Sequence, residues 1–191
     1  MKTLSLLFIP IIFLLHPTLD ADLTDLKKQK ETIDQYAYKH RKEMLVFLKL
    51  EGKSKLIRPK TEDLPDNAEY IYNVLKDESG RIILIEQIPC SQSGDWYIEW
   101  KHYFDTDGNA FCFSNRQSIF NDSVKGGVVV EELVKYYSKE FRPLESKSKL
   151  TDKDDKTISR KVSEFDFRDY KYSIYKNAEE CLNAFHIILN K

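Results

Sequence analysis

The stretch that decides the fold is Trp96-Tyr97-Ile98-Glu99-Trp100-Lys101-His102-Tyr103-Phe104-Asp105-Thr106-Asp107-Gly108-Asn109-Ala110-Phe111-Cys112-Phe113. Two aromatic-rich runs flank an Asp-x-x-Gly tetrad, which reads as strand, turn, strand. Asp is wanted first because its carboxylate accepts from the turn's own backbone N–H groups. Gly is wanted last because that position takes positive φ. Setting Phe104 opposite Asn109 pairs His102 with Phe111 and Trp100 with Phe113 on a wholly apolar face. The other face pairs Tyr103 with Ala110, Lys101 with Cys112, Glu99 with Ser114 and Tyr97 with Arg116, and it is mixed and polar. One buried face and one solvated face is the pattern of a half-solvated antiparallel sheet.

The same grammar occurs upstream. Tyr70 to Leu75 is followed by the turn Asp77-Glu78-Ser79-Gly80 and then by Ile82 to Ile88, and Asp77 and Gly80 each precede their counterparts Asp105 and Gly108 by 28 residues. This is a short internal repeat of hairpins. The first hairpin is apolar on both faces, so it should be the more deeply covered one. Downstream, Val130, Leu133, Val134, Tyr137 and Phe141 have helical spacing. Yet the β-branched run Val128-Val129-Val130 and the polar turn Ser138-Lys139-Glu140 also fit a third hairpin, and the two preceding units favour that reading. Ser146 to Val162 is highly charged and reads as a solvent loop or fraying strand ends. Phe165 to Tyr175 alternates aromatic and polar residues, as a last edge strand would.

Helices are expected at both ends. Asp22 to Leu50 contains neither Pro nor Gly, and Ile33, Tyr36, Ala37, His40, Met44, Phe47 and Leu48 fall on one stripe, which predicts one long helix capped by Asp22 or Thr24. Glu51 to Asn67, with Pro59 and Pro65, is then a connector. At the other end Asn177 caps a short helix with acids in its first turn, and Ala178, Cys181, Leu182, Phe185 and Ile188 form its apolar stripe. The expected architecture is α+β: a long N-terminal helix, an antiparallel meander of about six or seven strands, and a C-terminal helix, in one domain over 22–191.

The chain begins with Met1-Lys2-Thr3, an apolar run from Leu4 to Leu15, the break His16-Pro17 and a small residue at Ala21. This is the three-part layout of a secretory signal peptide over 1–21, with an apolar run shorter than the ~20 residues a spanning helix needs. The expected location is therefore periplasmic or secreted, with no membrane span after cleavage. The 191 residues are 32% charged and 41% hydrophobic with a formal net charge of -1, which excludes gross disorder and argues against a nucleic-acid binder working by bulk charge. Charge is uneven: Asp22 to Lys60 carries 11 basic and 6 acidic residues, Thr61 to Lys125 carries 5 and 12. The basic piece is expected to lie against the acidic middle of its own chain.

No constellation for chemistry emerges. Cys90, Cys112 and Cys181 read as unpaired thiols, with Cys90–Cys181 the one bridge worth testing. His40 and His102 sit on apolar faces as hydrogen-bonded core histidines, and no spacing suits zinc. Asp105 to Asn109 resembles part of a calcium loop, but Gly stands fourth instead of sixth and Arg116 replaces the closing Glu. Asp152, Asp154 and Asp155 read as a solvated run. No phosphate loop, dinucleotide fingerprint or nucleophile elbow occurs, so no catalytic residue, metal or cofactor is expected. Paired carboxylates of a small hydrolase stay open because acids are plentiful and their separation is invisible in sequence. The candidate ligand-binding residues are those of the polar sheet face: Tyr97, Glu99, Lys101, Tyr103, Ser114 and Arg116. Exposed aromatics among charges suit a glycan, peptide or protein partner in the envelope.

Ser93-Gly94-Asp95-Trp96-Tyr97-Ile98 through His102-Tyr103-Phe104-Asp105-Thr106-Asp107-Gly108-Asn109 resembles small exported proteins of Bacteroidota that have no assigned function. They share a signal peptide, a helix and hairpins with an aromatic-Asp-x-x-Gly turn. The turns are also similar to those of MORN-type repeats, although the third unit lacks the Gly. The resemblance covers roughly Glu69 to Asn121 and brings no catalytic residues to carry over; the expected role, an exported non-catalytic binding or envelope-accessory protein, follows from the leader, the partly aromatic polar sheet face and the lack of a catalytic constellation.

Overall fold

Alternation of inward and outward side chains is carried through seven strands in the computed structural model, which describes residues 19–59 and 64–189. The sheet is an uninterrupted antiparallel meander: β1 (Leu45–Leu50), β2 (Ala68–Lys76), β3 (Ile82–Pro89), β4 (Trp96–Phe104), β5 (Ala110–Phe120), β6 (Val128–Tyr137) and β7 (Pro143–Asp152), each beside its neighbours in sequence. Helix α1 (Leu19–Lys39) covers one face, and helix α2 (Ala178–Ala184) lies on the other. The α+β architecture read from sequence is the observed one. Of the leader expected at 1–21, residues 1–18 lie outside the described residues. Among the described residues no helix is long and apolar enough to cross a membrane.

The Asp-x-x-Gly turn proves to be a more general device than its glycine suggests. In the second hairpin the Asp105 carboxylate accepts from the backbone N–H groups of Asp107 and Asn109, both at 2.9 Å, and Gly108 takes φ +81°. Asp77 does the same for Ser79 and Arg81, with Gly80 at φ +79°. The device recurs where no glycine marks it: from Ser138 with Phe141 at φ 60°, and from Asp152 with Asp155 at φ 59°. So 128–152 is the third hairpin, and Asp152 belongs to a turn rather than to a purely solvated run. A bulge follows each intra-hairpin turn at the same place: Leu75/Lys76, Tyr103/Phe104 and Tyr136/Tyr137.

That bulge corrects the expected register. Trp100 faces Asn115, not Phe113; His102 faces Phe113, not Phe111; Glu99 faces Arg116, Lys101 faces Ser114, Tyr103 faces Cys112 and Tyr97 faces Ser118. The displacement is two residues, and because the side-chain period of a strand is two, every residue keeps its expected face.

Three elements differ from the reading of the sequence. The first helix ends at Lys39, a 3-10 turn follows at Arg41–Glu43, and 45–50 is strand β1. As a strand, Leu45-Val46-Phe47-Leu48 gains a ladder with β2 from Leu45↔Val74 onward and buries side chains on both faces, which a helical stripe could not do. The aromatic alternation at 165–175 belongs to no strand; the segment crosses the face opposite α1 as an extended strap. Its alternate residues Tyr172 and Ile174 pack on the cluster of Ile98, Trp100, Phe113 and Tyr137, so alternation here reports one-sided burial rather than a ladder. Finally, His186 at φ 58° breaks the C-terminal stripe, so that Ile187 is buried and Ile188 is 80% exposed. Asn177 caps α2 as expected, its side chain accepting from the Glu180 N–H at 2.8 Å.

Candidate cleft between the first helix and the sheet

Helix α1 covers only part of its face. Ile33 and Ala37 bury themselves with Leu75, Leu84, Tyr103 and Cys112, and beyond them the sheet floor is left open. The result is a concavity of about 790 Å³ whose floor is β2–β6 and whose wall is the C-terminal half of α1. All six residues of the polar sheet face line it: Tyr97, Glu99, Lys101 and Tyr103 from β4, Ser114 and Arg116 from β5. Sequence reasoning missed the other contributors, notably Lys30 and Asp34 from α1, Glu86 from β3 and Glu132 from β6. Glu86 had a signal, being the one charged residue inside the mainly apolar run Ile82–Ile88, on the same side as Leu84. Asp34 had none, since only the packing of α1 brings it to Tyr103.

The charges form three bonded clusters. Lys101 Nζ lies 2.9 Å from Glu99 and 3.4 Å from Glu86. The Tyr97 hydroxyl donates to Glu99 at 2.9 Å, and Asn73 Nδ2 donates to Glu86 at 2.9 Å. The Tyr103 hydroxyl donates to Asp34 at 2.8 Å, and Lys30 bridges to Asp34 at 2.7 Å while sitting 5.0 Å over the Tyr103 ring. Glu132 pairs with Lys149 at 2.9 Å. Burial raises the pKa of Glu86 above the usual carboxylate range, and the neighbouring Lys101 ammonium only partly offsets that. For Lys101 burial works against the charge, but Glu99 and Glu86 outweigh it and hold the ammonium above its ordinary value. Tyr97 is pushed up by burial and by the Glu99 charge, so its hydroxyl remains a donor.

On the opposite face Gln117 donates to Glu131 at 2.6 Å, but the polar atoms around His102 are left without partners among the described residues. His102 is 1% exposed among the rings of Phe104, Phe113 and Tyr175, and neither ring nitrogen has a hydrogen-bond partner among the described residues. The expected hydrogen-bonded core histidine is thus buried without its bonds. Burial lowers its pKa to about 4, opposed only weakly by the nearby Ser173 main chain. His40 is half-buried at the end of α1, stacked on Tyr36 and 2.9 Å from Glu43. All three cysteines are free, and burial raises the pKa of each, which leaves them as protonated, unreactive thiols. The basic N-terminal piece does lie against the middle of the chain, α1 packing on Leu75, Leu84, Tyr103 and Cys112 and β1 pairing with β2, while Lys27 makes an ion pair with Glu145 of β7, 2.8 Å away. Among the described residues no group of three or more His, Cys, Asp or Glu is placed to hold a metal ion. No family model, curated protein or solved structure matches this chain.

Proposed function

We propose that this is an exported, non-catalytic binding or envelope-accessory protein whose ligand sits in the cleft between α1 and the sheet. The observation that carries the reading is the convergence of Tyr97, Glu99, Lys101, Tyr103, Ser114 and Arg116 on one concavity of a size suited to a small ligand or the end of a larger one. The non-catalytic part rests on how the acids are held. Asp34, Glu86, Glu99 and Glu132 each have a cationic or hydroxyl partner within 3.4 Å, so their oxygens are already committed to ion pairs and hydrogen bonds that hold them in place. Export rests on the apolar leader, and the mass of the mature chain tests it: cleavage near Ala21 is the expected result.

A second reading, a small secreted hydrolase with paired carboxylates, is favoured by one feature. Glu86 and Glu99 flank the same ammonium, and burial raises the Glu86 pKa as a general acid requires. Glycoside turnover abolished by both Glu86→Gln and Glu99→Gln would establish that reading. The binding reading is tested by thermal shift on residues 22–191 against glycans, peptidoglycan fragments, lipids, peptides and metal ions. A ligand at ~100 times its dissociation constant adds about 2.7 kcal/mol of stability. The shift should disappear in Tyr97→Ala and Arg116→Ala; a shift that survives both places the ligand elsewhere.

A further inference from the structure

The cations of the cleft are not equivalent. Lys30 and Lys101 are ion-paired and Arg41 is exposed to solvent, whereas Arg116, half-buried on the floor, makes neither a hydrogen bond nor an ion pair among the described residues. This is unexpected from the register, because Arg116 lies on β5 directly between Glu99 of β4 and Glu132 of β6. Both flanking carboxylates are taken by other groups: Glu99 by Lys101 and the Tyr97 hydroxyl, Glu132 by Lys149. A half-buried guanidinium is left on the floor of the cleft with its planar set of N–H donors uncommitted. On the β1–β3 side the cleft carries an apolar patch of Met44, Val46 and the cross-strand partners Ile71 and Ile88, with Asn73 and Glu86 bonded to each other beside it.

We propose that Arg116 is an anion anchor and that the cleft takes a small organic monocarboxylate carrying an apolar or aromatic body. The inference rests on the binding reading above and adds the ligand's chemistry to it. A guanidinium fork matches the two oxygens of a carboxylate in one plane, where a lone ammonium offers only a point charge. The flanking acids select the charge of the ligand. Apart from Arg116 the cleft is lined by Lys30, Arg41 and Lys101 against Asp34, Glu86, Glu99 and Glu132, so no surplus positive charge is left for a second negative charge on the ligand, and a monocarboxylate is favoured over a doubly charged phosphate. The apolar wall beside β1–β3 receives the body, and the half-exposed Tyr97 ring gives it a surface to stack on.

The test is calorimetric titration of the 22–191 chain with phenylacetate and hexanoate, set against the neutral analogues 2-phenylethanol and hexanol and against inorganic phosphate, in wild type, Arg116→Gln and Arg116→Lys. Both variants should keep the wild-type Tm, since the Arg116 side chain makes no hydrogen bond or ion pair among the described residues. The carboxylates should bind more tightly than their alcohols. Arg116→Gln should weaken them about tenfold to a hundredfold, as loss of a charge-assisted hydrogen-bond pair does, and Arg116→Lys should weaken them less. Alcohols binding as tightly as the acids, with no effect of Arg116→Gln, would overturn the anchor while leaving a binding cleft in place. Phosphate binding more tightly than the carboxylates through Arg116 would overturn the choice of ligand, and no binding of either carboxylate at millimolar concentration would overturn the inference altogether.

Discussion

The two faces of one sheet treat their polar atoms in opposite ways. On the α1 face, Glu86, Lys101, Glu99 and Tyr97 form one bonded cluster and Asp34 and Tyr103 another, both lining an open cleft. On the strap face, Trp100 Nε1, both ring nitrogens of His102 and Asn115 Oδ1 are buried with no partner among the described residues. An unsatisfied buried polar group costs free energy, so that face is held by packing strong enough to outweigh the loss. Trp100, Phe113 and Phe104 there are among the largest fully buried side chains, and Tyr172 stacks 5.1 Å from Phe113. The strap face thus carries stability, and the α1 face is free to carry recognition.

The sharpest way to break that division is a large-to-small change on each side. Phe113→Ala should cost about 3–5 kcal/mol by chemical denaturation, while Tyr97→Ala should stay within about 1 kcal/mol, because a 40% exposed ring leaves no cavity behind it. Equal losses would contradict the assignment of stability to one face.

A pH scan sharpens it next. The native His102 ring titrates near 4 and the unfolded one near 6.5, so between those values the unfolded chain binds a proton that the native chain does not. Stability therefore falls as pH drops through this window, by up to about 3 kcal/mol at about 1.4 kcal/mol per unit. Glu86 acts in the opposite sense, since its raised native pKa means stability is lost as pH rises through it. Comparing wild type with His102→Phe cancels the Glu86 contribution. The variant should lose most of the acid sensitivity, and an unchanged pH profile would refute the assignment.

Smaller effects follow. Tyr172→Ala should cost about 1–3 kcal/mol and open the strap to limited proteolysis between Phe165 and Tyr175, because the strap is fixed by ring contacts and not by a ladder. Smallest of all, Gly108→Ala should cost about 1 kcal/mol for an L-residue held at φ +81°, with no steric clash added because its Cβ would meet nothing within 4 Å.

These differences also mark what could be read in the sequence. The hairpins were legible because alternation and Asp-x-x-Gly punctuation are local, and the six cleft residues were legible because a two-residue register error preserves the face. β1 was not, because nothing between Lys39 and Leu45 breaks a helix by composition; the free edge of β2 decides it. The strap was misread because alternate burial looks the same with or without backbone pairing. The turn at Ser138 was legible only from its polarity, and the one at Asp152 was obscured, because Phe141 and Asp155 occupy a left-handed position that glycine announces elsewhere. The α1 side of the cleft needed the tertiary packing that sets Asp34 against Tyr103.

The most direct test of the division between faces is an NMR titration of labelled protein with whichever compound the thermal-shift panel or the phenylacetate titration identifies. The account predicts chemical-shift changes at Tyr97–Lys101, Ser114–Arg116 and the methyl groups of Ile71 and Ile88, with Tyr170–Ile174 and the Trp100 indole unmoved. Changes concentrated at Trp100, His102 and the strap, with a silent cleft, would contradict it.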